Sequence, residues 1–119
     1  MTKTKTQTKY DLEERTAIFG EAIIEFTKSI PKNETTRPLI SQIIRSATSV
    51  GANYCEADSA FTKKEFYHRI AISRKEARET KHWLRMLVTA LPDLKEPARK
   101  LWSESNELML IFSAILRKR

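Results

Sequence analysis

Two Glu-x-x-His motifs are the residues whose spacing could most directly support metal chemistry. They are EFYH at residues 65–68 and ETKH at residues 79–82. Di-iron sites in helical bundles use this motif on two different helices, with the side chains projecting inward. Here both motifs fall in one predicted helix, about 21 Å apart at 1.5 Å per residue. Both histidines also fall at outward positions of that helix, so we expect no metal site and no cofactor.

The only cysteine, Cys55, lies in the stretch VGANYCEAD at residues 50–58. A nucleophilic cysteine needs a nearby base or an environment that lowers its pKa, and no motif around Cys55 supplies one. We therefore expect a small, semi-buried side chain. With only two glycines, Gly20 and Gly51, the chain has no glycine-rich phosphate loop. The sequence predicts a protein that is not an enzyme.

Proline positions and apolar spacing predict the elements that carry these residues. All four prolines fall in residues 31–38 and 92–97, and proline is costly inside a helix. Between them, apolar residues recur at steps of three and four, and no segment alternates with period two. Four amphipathic helices with short loops predict an all-α fold, an antiparallel up-down-up-down four-helix bundle. The predicted helices span about residues 11–30, 37–58, 63–91 and 95–117, within a single domain of residues 10–116.

Local signals support two of the predicted helix starts. Thr36, followed by Pro38 in the first turn, is the predicted N-cap of the second helix. Thr62 and Glu65 form a capping-box sequence at the start of the third helix. The third helix is the longest, and its predicted core positions are Phe66, Ile70, Ser73, Ala77, Thr80, Leu84, Leu87 and Leu91.

The net charge of +7 comes mainly from the two ends of the chain. Three positive charges lie in residues 1–9, which we predict to be a disordered basic tail. Three more form a basic C-terminal tail consisting of Arg117, Lys118 and Arg119. Such tails attract nucleic acid weakly and in a salt-dependent way, although they are also common solubilising ends.

The helices themselves differ in charge. Residues 11–34 contain six acids and three bases, whereas residues 59–91 contain three acids and eight bases. Four of these bases, each directly after a core position, form what we call the basic ridge: Arg74, Arg78, Lys81 and Arg85. A continuous ridge of this kind suits phosphate binding. It equally suits pairing with acids on a neighbouring helix or subunit.

The opposite flank of the third helix mixes apolar and acidic residues. It consists of Ile72, Glu76, Glu79, Trp83 and Met86. A helix with a second, partly apolar face contacts more than one layer of protein, which predicts self-association with Trp83 and Trp102 as interface anchors. Buried glutamates need partners, and Arg45 in the second helix is the predicted one.

The stretch VGANYCEAD therefore reads as a packing joint rather than an active site. Tyr54 falls at a core position, and the small Gly51 permits close approach of another helix. Asn53 and Glu56 lie one turn apart and are predicted to make polar contacts at the helix end or to a neighbouring subunit.

Two segments carry a family resemblance: RSATSVGANYCEADSA at residues 45–60 and KKEFYHRIAISRKEARETKHWLRML at residues 63–87. They resemble bacterial four-helix-bundle proteins encoded in intervening sequences of 23S rRNA genes. That family includes the accessory variability determinant of diversity-generating retroelements. The resemblance covers about residues 10–115. Many relatives have Asn-Ile-x-Glu-Gly at the end of the second helix, whereas this chain has NYCEA at residues 53–57.

The resemblance implies a non-enzymatic protein that assembles as a ring-shaped homopentamer. It also implies nucleic-acid binding and partnership with a reverse transcriptase for the retroelement members. Together with the residues, it predicts a self-associating bundle that binds nucleic acid, with RNA favoured, through the basic ridge and the tails. The alternative is a scaffold whose basic third helix docks onto an acidic protein surface.

The predicted location follows from what the sequence lacks. No run of about 18 apolar residues is present, so no membrane span is predicted. The first ten residues, MTKTKTQTKY, have no apolar core of the kind a secretory signal needs. A single cysteine cannot form an internal disulfide, which fits a reducing, cytoplasmic setting.

Overall fold

Four α-helices make up most of residues 11–119, the part of the chain that the computed structural model describes. The predicted N-terminal tail, residues 1–9, lies outside the described residues. The helices are α1 (Leu12–Lys28), α2 (Thr36–Asp58), α3 (Lys63–Ala90) and α4 (Lys95–Leu116), with a short 3-10 helix (Pro92–Leu94) between α3 and α4. Residues 11–119 contain no strand, so the all-α prediction is confirmed.

Side-chain caps start α1 and α3. Asp11 Oδ1 accepts a hydrogen bond of 3.1 Å from the Glu14 backbone N–H at the start of α1. Thr62 Oγ1 accepts one of 3.0 Å from the Glu65 N–H, as the capping-box sequence predicted. Each cap satisfies a backbone donor that has no partner inside the helix.

The predicted cap of α2 is wrong, because Asn33 rather than Thr36 accepts the first free N–H groups. Asn33 Oδ1 accepts from the backbone N–H of Thr35 and of Thr36, both at 2.9 Å. Thr36 is already the first helical residue, and its hydroxyl donates to the Pro31 carbonyl at 2.6 Å. An asparagine side chain folds back onto its own turn readily, which gives it this role.

Helix α1 ends at Lys28, two residues before the predicted end. Proline disfavours helical conformation in the residue before it, so Pro31 stops the helix before Ile30. Ser29 Oγ donates to the Phe26 carbonyl at 3.0 Å and closes the last turn. Ile30 remains buried, with only 2% of its surface exposed, so it keeps its predicted place in the core.

The core is built from the apolar stripe of each helix. In α3 the predicted core residues from Ile70 to Leu87 are buried, whereas Phe66 and Leu91 at its two ends are half-buried. Large side chains from all four helices meet in the centre of this core: Phe19, Ile23, Ile43, Ile70, Leu84, Leu87, Leu108 and Phe112. Burial of this apolar surface is the main force that holds the helices together.

Hydroxyl side chains within these stripes bond across helix boundaries. Ser46 Oγ of α2 and Thr80 Oγ1 of α3 are 2.8 Å apart, and Ser73 Oγ of α3 donates to the Val50 carbonyl of α2 at 2.9 Å. On the other side of α3, Ser105 Oγ of α4 donates to the Ala77 carbonyl at 2.6 Å. A side-chain contact to a backbone carbonyl requires two helices to approach closely.

The helices are neighbours in chain order, and α1 also packs against α4. Arg15 of α1 joins these two helices through Glu104 and Glu107 of α4, at 2.7 Å and 2.6 Å. The hydrogen bond to Glu104 raises the pKa of the Arg15 guanidinium still further above its usual value, so this side chain stays protonated. These contacts are compatible with the predicted up-down-up-down order. Among residues 11–119, none of the helices combines the length and apolar character needed to cross a bilayer.

The two glycines lie at the α1–α2 boundary, but the space beside each differs. A Cβ on Gly51 would lie 3.1 Å from Thr16 Oγ1, closer than ordinary contact. That hydroxyl is held by a 2.7 Å hydrogen bond to the Leu12 carbonyl. A Cβ on Gly20 would lie 3.7 Å from Thr48 Cα, an ordinary van der Waals distance.

We expect Gly20→Ala to raise the free energy of unfolding by about 1 kcal/mol, since alanine favours helix and fits the space. Gly51→Ala should gain less than half of this, because Thr16 must shift. Urea denaturation of both variants beside wild type measures the difference. Equal stabilisation at the two sites would contradict the close approach at Gly51.

Candidate nucleic-acid interface

The basic ridge lies on α3 along its boundary with α4. Each of its residues directly follows a buried one, and successive helical residues are rotated by about 100°. This places the ridge side chains at the edge of the buried stripe rather than on the far side of the helix. Arg78 and Arg85 are exposed, whereas Arg74 and Lys81 are half-buried.

Two members of the ridge bond to neutral groups on α4. Arg74 Nη1 donates to Ser113 Oγ at 3.3 Å. Lys81 Nζ donates to Asn106 Oδ1 at 2.8 Å and lies 4.6 Å from the centre of the Trp102 ring. Both side chains are therefore held in position by neutral groups, and no carboxylate offsets their charge in these contacts.

The positive charge of the ridge is not offset by salt bridges in the described part of the chain. Within residues 11–119, none of its four residues forms a salt bridge. The sequence left open whether the ridge pairs with acids on a neighbouring helix of the same chain. No such pair exists in the described part of the chain.

Near the middle of α3, the ridge borders a groove with mainly polar walls. Arg74, Lys75 and Arg78 line it from α3, and Met109 and Ser113 line it from α4. The groove has a volume of about 460 Å³. Three cations around a polar depression suit an anionic ligand such as a backbone phosphate.

A second groove continues along the same boundary, and we call it the Trp102 groove. Its lining includes one cation of α3, Arg85. From α4, Trp102 and two further cations, Lys95 and Arg99, also line it. Sequence reasoning did not assign Lys95 and Arg99 to the site. Their spacing was the available signal, because residues 95, 99 and 102 share one face of a helix.

The C-terminal basic residues follow directly on α4. Arg117, Lys118 and Arg119 are exposed. Arg117 lies one helical turn beyond Ser113, the residue that Arg74 contacts. The backbone N–H of Arg117 donates to the Ser113 carbonyl at 3.1 Å, so the chain continues in a turn there.

The flank of α3 that mixes apolar and acidic residues is joined to α2 by Arg45, as the sequence predicted. Arg45 Nη1 donates to Glu76 Oε1 at 3.2 Å, and Arg45 Nη2 donates to Glu79 Oε2. Trp83 Nε1 donates to the same Glu79 oxygen at 3.0 Å. Glu76 is only 8% exposed, so this arginine supplies the partner that a buried carboxylate needs.

The end of α2 is tied to α3 by a further polar contact. Asn53 Nδ2 donates to the Ser49 carbonyl, and its Oδ1 accepts from Arg69 Nη1, both at 3.0 Å. Tyr54 packs toward Phe112 with ring centres 6.5 Å apart, and burial raises the pKa of its hydroxyl. Glu56 is exposed. The Arg69 Nε atom is buried and has no partner among the described residues.

Cys55 is exposed rather than semi-buried as predicted. It follows the half-buried Tyr54, so the helical rotation carries it away from the core. Partial loss of hydration and the carboxylates of Glu13, Asp58 and Glu56 raise the pKa of its thiol. A raised pKa disfavours the thiolate, the form that acts as nucleophile.

Both histidines are exposed, as predicted from their outward positions. The rings of His82 and Trp83 pack in a T-shaped arrangement, with ring centres 4.9 Å apart. Across residues 11–119, no three His, Cys, Asp or Glu side chains are grouped closely enough to hold a metal ion.

The fold and this surface together define an all-α, four-helix protein with one cationic side. The chain belongs to the family of 23S rRNA-intervening sequence proteins, whose model matches residues 8–113. The resemblance of the sequence to the 23S rRNA intervening-sequence proteins is thereby confirmed.

A solved structure is also similar. It is the crystal structure of a protein of unknown function from the S23 ribosomal protein family of Bacteroides thetaiotaomicron VPI-5482. The identity is 28% and the TM-score 0.80, over 87% of this chain and 96% of that one. Among curated proteins, none is significantly similar to this chain.

The Arg45–Glu79 contact predicts coupling between these residues. In a double-mutant cycle of Arg45→Ala and Glu79→Ala, we expect a coupling energy of about 0.5–1 kcal/mol, modest because both side chains are partly exposed. Chemical denaturation of the four proteins provides it.

The matched control is the exposed pair Lys28 and Glu25 on α1, whose side chains are 66% and 70% exposed. Its coupling should be near zero. Additive destabilisation at Arg45 and Glu79 would show that the contact does not form in solution.

Proposed function

We propose that this protein is a non-enzymatic, cytoplasmic, self-associating helical bundle that binds nucleic acid, with RNA favoured, by electrostatic attraction. The observation that best supports this proposal is the basic ridge, which runs along the α3–α4 boundary and forms no salt bridge in the described part of the chain. Arg117, Lys118 and Arg119 add attraction that does not depend on sequence.

The ridge combines fixed and free cations. Arg74 and Lys81 are held by α4, whereas Arg78 and Arg85 extend into solvent. The two free arginines are seven residues apart, about 10.5 Å along the helix axis. Phosphates of one strand can therefore meet both, while the held cations maintain a positive potential between them.

Support for RNA comes from the family. Its description refers to an intervening sequence of 23S rRNA, and the similar crystal structure is assigned to a ribosomal protein family. Contacts limited to phosphates read no base edges, so we expect little sequence preference from the ridge itself.

The proposed assembly is a homo-oligomer of up-down-up-down bundles, and the resemblance favours a ring-shaped pentamer. Exposed apolar side chains provide surface for it: Ile18 and Leu110 are 52% and 55% exposed. A reverse transcriptase, as in the retroelement members that the sequence resembles, is the proposed protein partner.

Light scattering of the purified chain tests the assembly. We expect a mass of about five times the 13.8 kDa chain. Ile18→Glu with Leu110→Glu should reduce this mass if these residues lie in the interface, while a paired substitution of exposed polar residues, Gln42→Glu with Ser103→Glu, should not. A monomeric wild-type protein would contradict the proposed self-association.

Charge reversal on the ridge tests nucleic-acid binding. We expect Arg78→Glu with Arg85→Glu to weaken binding of a labelled RNA oligonucleotide at least tenfold at low salt, because two phosphate contacts become repulsive. The slope of log K against log salt should fall by about 1.4, at about 0.7 per contact with a single strand. Fluorescence anisotropy over a salt series measures both quantities.

The matched control reverses Arg37 and Lys100, which are exposed and lie outside the ridge. The control undergoes the same change in net charge and should lose much less affinity. Equal loss in both variants would assign binding to net charge alone. No binding by wild type at low salt, together with a tightly co-purifying acidic protein, would favour the protein-docking alternative.

A further inference from the structure

The Trp102 groove differs from the groove beside Arg74 and Arg78 because its interior is apolar. It is lined by Leu84 and Ala98, which are buried, and by Val88, which is half-buried. Trp102 forms one side. The volume of about 350 Å³ lies at the small end of the range for ligand pockets, about 300–1,000 Å³.

The rim of the groove is positively charged. Arg85 contributes from α3, and Lys95 and Arg99 contribute from α4. Arg99 pairs with Glu96 at 3.2 Å, but their side chains are 62% and 78% exposed, so the pair is weak in water. Among residues 11–119, no acid lines the groove itself. The complementary ligand is therefore anionic at its edges and apolar in its middle.

Trp102 is held in position, yet its ring is accessible. Lys81 Nζ lies over one face of the ring, 4.6 Å from its centre, and donates to Asn106 Oδ1, which anchors this lysine on the indole. Trp102 nevertheless remains 42% exposed and lines the groove. An accessible indole flanked by cations is the arrangement on which unpaired bases stack.

We infer that the Trp102 groove binds an unpaired nucleotide of a single-stranded nucleic acid. The base lies against Trp102, and the flanking phosphates contact Arg85 and Arg99. This inference rests on the proposed function and adds a requirement for unpaired bases. In a duplex, base faces are stacked on one another and only their edges are reachable, so a duplex meets the ridge alone.

The test compares three fluorescently labelled probes of equal length on the full chain. They are a single strand with bases, an abasic strand of the same sugar-phosphate backbone, and a duplex. We expect Trp102→Ala to weaken binding of the base-containing strand about tenfold. Its affinity for the abasic strand and for the duplex should change less than twofold, and Trp102→Phe should retain most of the affinity.

Tryptophan emission gives a second readout that keeps the groove intact. The chain has two tryptophans, so Trp83→Phe leaves Trp102 as the only one. The base-containing strand should quench its emission by stacking, and the abasic strand should not. Trp83→Phe also serves as the matched control for affinity, because Trp83 lies on the face joined to α2.

The outcomes separate the two proposals. If wild type binds all probes but Trp102→Ala weakens the base-containing and abasic strands equally, base stacking is overturned and the ridge function stands. Emission that is unchanged by the base-containing strand also overturns it. If wild type binds none of the probes, the proposed function fails and the groove assignment fails with it.

Discussion

Close approach of α3 to both of its neighbours is the constraint on which the rest of the structure depends. The buried stripes contain serine, threonine and alanine where larger residues would separate the helices. Ser73 and Ser105 donate directly to backbone carbonyls of the adjoining helix, and Ser46 bonds to Thr80. A buried hydroxyl without a partner costs about 1–3 kcal/mol, so these bonds favour one rotation and one axial offset of the helices.

That offset determines what the basic side chains can reach. Because α3 lies close to α4, Arg74 and Lys81 cross the boundary and contact Ser113 and Asn106. The same closeness brings Trp102 under Lys81 and places the α4 cations beside those of α3. A string of basic residues on one helix thus becomes a surface built from two helices, with some cations held in place and others free.

Sequence reasoning succeeded where one helix contains all the information. The three-four spacing identified the buried stripes, and the outward positions of the histidines followed from the same rotation. It failed where two segments must meet. Asn33 caps α2 from the connection between α1 and α2, where Thr36 also bonds to the Pro31 carbonyl, and the contact between Lys81 and Trp102 depends on the offset between α3 and α4. Arg45 was the exception, because a buried glutamate demands a partner and few cations were available.

Charge separation across the bundle has a further consequence. The acidic residues 11–34 include α1, and the basic residues 59–91 include α3. Both helices pack against α2 and α4, so they occupy opposite corners of the bundle. The charges of residues 11–119 therefore form an electric dipole directed across the helices. The field of a polyanion exerts a torque on such a dipole that turns α3 toward the polyanion, and this torque weakens as added salt shortens the range of the field.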